Sequence, residues 1–122
     1  MSISSYRDLI VWQKAVELVI AMYDLSEKFP SVERFGLTNQ MRRAAISIPS
    51  NIAEGSRRTS SKDFRHFLVN SFGSGSELET QVIIAKRLYA RRNLDFLKVD
   101  SLLDEVMRIL NKMINNLKNS DK

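Results

Sequence analysis

The feature that most constrains this chain is an unbroken alternation of three- and four-residue steps between apolar positions near its C-terminus. Phe96, Val99, Leu103, Val106, Leu110, Met113 and Leu117 keep this rhythm without a fault, which marks a helix with one apolar seam. Such a heptad seam suits rods packed side by side at a crossing angle of about 20°. Asp95 stands just before it as an expected N-cap.

The same rhythm recurs upstream. In the first stretch Leu9, Trp12, Val16, Val19 and Tyr23 form one stripe, and Val11, Ala15, Leu18, Met22 and Leu25 form a second beside it. Two adjacent stripes exceed what one neighbouring helix covers, so this helix should meet its own bundle and something else. Ser5 and Asp8 have capping-box spacing at its start, and Phe29-Pro30 should end it. After a connector through Gly36, a second helix reads Leu37, Met41, Ala44, Ala45, Ile48 and Ile52. The apolar phase holds across Pro49, which predicts a kink there and not a stop. Gly55 is the expected left-handed C-terminal residue.

Arg57-Arg58-Thr59 reads as a loop, and Ser60 with Asp63 repeats the capping-box spacing. Phe64, Leu68, Ser71, Gly75, Leu78, Val82, Ala85 and Tyr89 then share one helical face. The Gly73-Ser74-Gly75-Ser76 run could be a flexible linker, since each glycine costs a helix interior roughly 1 kcal/mol. A linker has no need to preserve apolar phase, however, and the phase is unchanged on both sides. One long helix is expected, with small residues that admit a close neighbour. The fold class is therefore all-α, an antiparallel up-down-up-down four-helix bundle, one domain over residues 1–122 with an ordered core of about 6–118.

Composition narrows the function. The chain has 122 residues and no cysteine, which excludes disulfides and thiolate metal sites. The N-terminus shows no signal-peptide pattern. The apolar-rich segment from Leu9 to Leu25 is interrupted by Gln13, Lys14, Glu17 and Asp24, too charged to span a bilayer. A cytoplasmic protein with no membrane partner is expected. Its net charge of +5 favours polyanionic partners through counterion release.

Catalytic chemistry is not expected. His66 is the one histidine, and no spacing identifies a partner for it. Glu77 and Glu79 project about 200° apart on a helix, the wrong geometry for a shared site. Glu-x-x-His pairs, as in di-iron bundles, and phosphate-cradling glycine loops are both missing from the sequence. No metal or cofactor is anticipated, and no enzyme.

Two other constellations stand out. Gln40, Arg43, Ser47, Asn51 and Glu54 form a polar stripe along the apolar face of the second helix, each three or four residues from the next. With Trp12 on the first helix they are expected to serve packing or assembly, the alternative being a ligand-facing groove. Arg57, Arg58, Lys62 and Arg65 should gather at one end of the bundle with Arg7 and Lys118. Lys86, Arg87, Arg91 and Arg92 should gather at the other, about 40 Å away at ~1.5 Å rise per residue. Without a run of aromatics interleaved among these arginines, backbone contact is expected over base stacking.

The motifs also resemble a known family. Leu9-Ile10-Val11-Trp12-Gln13-Lys14-Ala15, Phe29-Pro30 with Glu33, and Gly36-Leu37-Thr38 leading to Gln40-Met41-Arg42-Arg43-Ala44-Ala45 are its opening marks. Ser47-Ile48-Pro49-Ser50-Asn51-Ile52-Ala53-Glu54-Gly55, Phe67-Leu68, Gly73-Ser74 and Glu77-Leu78-Glu79-Thr80 continue them. The chain resembles, over roughly residues 6–118, the four-helix bundle proteins named for intervening sequences of 23S ribosomal RNA. The resemblance implies a bacterial, basic, barrel-shaped homopentamer. It further implies a relation to accessory proteins of diversity-generating retroelements, which bind RNA or DNA and a reverse transcriptase. Phe72 stands where a small or aliphatic residue is commoner in that family.

Overall fold

A computed structural model of the protein describes residues 5–120, with side chains for 5–118. Four helices follow one another: α1 (Ile10–Ser26), α2 (Leu37–Ser56), α3 (Ser61–Leu88) and α4 (Leu97–Ser120). No strand occurs among the described residues. Each helix packs on its two neighbours around a closed ring, α1 on α2 and α4 and α3 on α2 and α4, with no diagonal contact. The end of α2 meets the start of α3, where Gly55 lies against Phe64 and Phe67. The end of α3 meets the start of α4 through Lys86 and Asp100. These pairings run successive helices in opposite directions.

The apolar seams become the core. On α1 the inner stripe Val11, Ala15, Leu18, Met22 and Leu25 is buried, while Leu9, Trp12, Val16 and Val19 are half-covered and Tyr23 is exposed. All eight expected positions of the α3 face are buried, from Phe64 to Tyr89. Burying a Leu, Ile or Phe side chain contributes about 1.5–3 kcal/mol, and Leu18, Ile48, Ile52, Phe64, Leu68 and Leu110 are among those hidden almost completely.

Helix α3 runs unbroken through its glycines. A Cβ at Gly75 would meet the Met107 sulfur of α4, so the close neighbour admitted there is α4. Gly73, by contrast, faces open space. On the α2 side, the buried Ser71 hydroxyl donates to the Ile48 carbonyl at 2.9 Å and Ser74 bonds Ser47 at 2.8 Å. Phe72 packs half-buried against the core. Helix α2 continues through Pro49.

Several helix ends differ from expectation. Gly55 is helical and not left-handed. A Cβ there would lie 2.6 Å from Phe67 Cβ, so its glycine serves close packing against α3. Ser5 caps a short 3-10 turn, Tyr6–Asp8, and leaves α1 to start at Ile10, with Leu9 before it providing no side-chain cap. Helix α1 stops at Ser26, three residues before Phe29, and looser turns carry the chain to Pro30. Ser60 caps α3 as expected, accepting from the Asp63 amide at 3.1 Å. Asp95 accepts from the Leu97 amide at 2.9 Å, but Phe96 occupies the residue before α4. The left-handed residue of the α3–α4 turn is Asn93, with φ of 58°, a conformation asparagine tolerates. Helix α4 runs through Ser120, and residues 121–122 lie outside the described part.

Arg42 ties the α1 end to α2. Its Nε donates to Ser26 Oγ at 2.8 Å, its guanidinium lies 4.4 Å over the Tyr23 ring, and it approaches Glu27 at 4.0 Å. Tyr89 ties the connector between α1 and α2 to α3 by donating to Glu33 Oε2 at 3.0 Å. Burial first, and the Glu33 contact second, push the Tyr89 phenol up to about 12. The Phe29 ring packs against it, tilted by 48° with the centroids 4.8 Å apart.

Candidate nucleic-acid interface at the α2–α3 end

The turn from α2 to α3 places Arg57, Arg58, Lys62 and Arg65 at one end of the bundle. The 3-10 turn before α1 brings Tyr6 and Arg7 to the same end. The Arg7 and Arg57 guanidinium carbons lie 4.9 and 5.4 Å from the Tyr6 ring centroid, and Tyr6 meets Trp12 edge-on at 5.2 Å. Arg58 lies 4.7 Å over Phe67 and is bonded to Glu54 at 3.1 Å. Aromatic rings therefore do interleave with these arginines in space, contrary to the reading of the sequence. The reason is that Tyr6 reaches Arg57 across about fifty residues of chain, a pairing no local spacing can show.

Lys62 and Arg65 lie beside Lys118 in one cleft shared with His66 and Val69. Arg65 Nε donates to the Ile114 carbonyl at 3.1 Å, which fixes the guanidinium against α4. Arg7, Arg57, Lys62, Arg65 and Lys118 make no ion pair among the described residues.

The opposite end is built differently. Arg87, Arg91 and Arg92 line a cavity of about 470 Å³ with Pro30, Leu88, Tyr89 and Ala90. Lys86 does not join them, because it bonds Asp100 at 2.7 Å across to α4 and lies near the Phe96 ring. Phe35 is 90% exposed in the adjoining turn, with Val32 and Leu97 also largely uncovered.

The polar stripe of α2 is only partly a network. Asn51 Nδ2 donates to the Ser47 carbonyl and hydroxyl at 2.8 and 3.0 Å, and Ser47 joins Ser74 of α3. Glu54 holds Arg58 instead of Asn51. Gln40 and Arg43 are exposed and make no side-chain bond among the described residues. Arg42, which spacing did not single out, holds the α1 contact; its place one residue beside Met41 was the available signal.

Glu77 accepts from Gln81 at 3.4 Å while Glu79 lines a different surface near Lys86. Among the described residues no group of three or more His, Cys, Asp and Glu side chains converges, and no helix is long and apolar enough to cross a membrane.

A small helical bundle with a cationic, partly aromatic end is the class that this geometry defines. Residues 7–112 match the model of the family described as 23S rRNA-intervening sequence protein, and the chain belongs to that family. No curated protein matches the chain.

Proposed function

We propose that the chain is a non-enzymatic, homo-oligomeric accessory protein that binds the backbone of RNA or DNA through its α2–α3 end. The observation that carries this reading is the gathering of Arg7, Arg57, Lys62, Arg65 and Lys118 with no ion pair among the described residues. Cations left unpaired in the folded protein are free to displace counterions from a polyanion. Arg87, Arg91 and Arg92 form a second, smaller contact in this reading.

The oligomer is supported by the outer side of α1, where Ile20 is 58% exposed beside exposed Tyr23 and half-covered Trp12, Val16 and Val19. A continuous apolar strip of this kind marks an association surface. A closed ring, pentameric by the family resemblance, would repeat the basic end around one axis. The same strip favours a second reading, a protein–protein scaffold without nucleic acid, with a reverse-transcriptase-like protein as one such partner. The protein acts in the cytoplasm, without a cofactor, in either case.

Binding of a structured RNA, titrated in salt, tests the proposal. The affinity is expected to fall steeply with salt, with a log–log slope of about −0.7 to −0.9 for each phosphate neutralised. Absence of binding at ~50 mM salt, where phosphate-driven affinity is strongest, sinks the proposal in favour of the scaffold.

A further inference from the structure

A cleft of about 490 Å³ opens between α3 and α4 at the basic end, lined by Lys62, Arg65, His66, Val69 and Lys118. Among the described residues, every polar member of that lining can carry positive charge and none is acidic. Lys62, Arg65 and His66 fall three and four residues apart and so share one face of α3. Lys118 closes the cleft from α4. Because Arg65 uses Nε on the Ile114 carbonyl at 3.1 Å, its two Nη groups remain as a fork suited to phosphate oxygens. Lys62 sits in the first turn of α3, at the end whose dipole attracts one.

We infer that this cleft is a binding site for a single phosphate group, in which His66 supplies the fourth cation when protonated. The inference rests on the nucleic-acid reading for the source of the phosphate. It adds the location, the chemical group and a dependence on pH. An imidazole ordinarily gains its charge between about pH 8 and 5. A bound phosphate favours the charged ring, and by reciprocity the charged ring tightens phosphate binding.

The charged groups around His66 are Lys62 and Arg65 on α3, with Asp63 one turn earlier, and Lys118 on α4. On the α2 side, Arg58 covers Phe67, whose ring lies 6.0 Å from that of His66, and Glu54 is bonded to Arg58. No acidic side chain pairs with His66 among the described residues. No described residue supplies an anion that balances the cleft.

His66 is the one histidine of the chain, so a single imidazole Cε1–H resonance reports on the cleft by proton NMR. In the full chain, adding inorganic pyrophosphate is expected to move the pH midpoint of that resonance upward. Lys118→Gln is expected to shrink the movement. An unchanged midpoint at saturating pyrophosphate overturns the inference. In a second arm, RNA is expected to bind roughly fivefold more tightly at pH 6 than at pH 8 at fixed salt, and His66→Gln to abolish that difference. RNA binding with no His66-dependent pH component overturns the inference and leaves the nucleic-acid reading standing. A pyrophosphate response without RNA binding supports the cleft as a phosphate site and removes RNA as the source. Loss of both responses removes both.

Discussion

The two ends of this bundle carry similar numbers of cations but hold themselves together by different means. At the α2–α3 end the helices are joined by close backbone approach, with Gly55 seated against Phe64 and Phe67. Of the charged residues there, Arg58 packs over Phe67 and pairs with Glu54, while Arg7, Arg57, Lys62, Arg65 and Lys118 make no ion pair among the described residues. At the opposite end the joints are polar side-chain pairs, Tyr89 with Glu33 and Lys86 with Asp100. One end thus leaves most of its cations without ion pairs among the described residues, and the other commits part of its charge to structure.

The largest test of this contrast is Gly55→Ala. A methyl group 2.6 Å from Phe67 Cβ forces α2 and α3 apart, and overpacking of this kind costs about 1–3 kcal/mol. Thermal unfolding should show the loss, whereas Gly73→Ala, in open space, should gain stability from helix propensity, by up to ~1 kcal/mol. Equal effects at the two glycines would erase the proposed joint.

At the other end, Tyr89→Phe removes the bond to Glu33 and should cost about 0.5–1.5 kcal/mol at neutral pH. Its pH dependence is more telling. A tyrosine in the unfolded chain titrates near 10, while Tyr89 in the folded protein is raised to about 12. The neutral phenol's contribution is intact below pH 10 and is lost as pH rises toward about 12. Stability measured across that window should fall in the wild type and fall less in the Phe variant. Smallest of all, Lys86→Ala removes a half-exposed ion pair and should cost about 0.2–1 kcal/mol, less at high salt. A larger loss would make that end more dependent on charge than the geometry allows.

Much of the fold was legible because burial follows helical phase. The α3 face from Phe64 to Tyr89 and the α4 seam are buried or half-buried where the three-and-four rhythm puts them, and the rhythm also carried α3 through Gly73 and Gly75. What was not legible depends on contacts between distant residues. Gly55 is a glycine because of Phe67 on the next helix, not because of a turn. The stripe from Gln40 to Glu54 splits because Ser74 and Arg58 claim some of its members. For the candidate site, spacing placed Lys62 and Arg65 together at one end, but it could not show Tyr6 beneath Arg57 or His66 beside Lys118. The outer stripe of α1 is half-covered at Leu9, Trp12, Val16 and Val19 and exposed at Tyr23 in the single chain.

Paired salt titrations of RNA binding test the central claim most directly, comparing Arg57→Gln/Lys62→Gln/Arg65→Gln with Arg87→Gln/Arg91→Gln/Arg92→Gln. The account predicts that the first variant loses on the order of a hundredfold in affinity near 50 mM salt, with its salt slope reduced by about 2–3, while the second loses no more than about tenfold. Equal losses from the two ends, or a first variant that binds like the wild type, would contradict it.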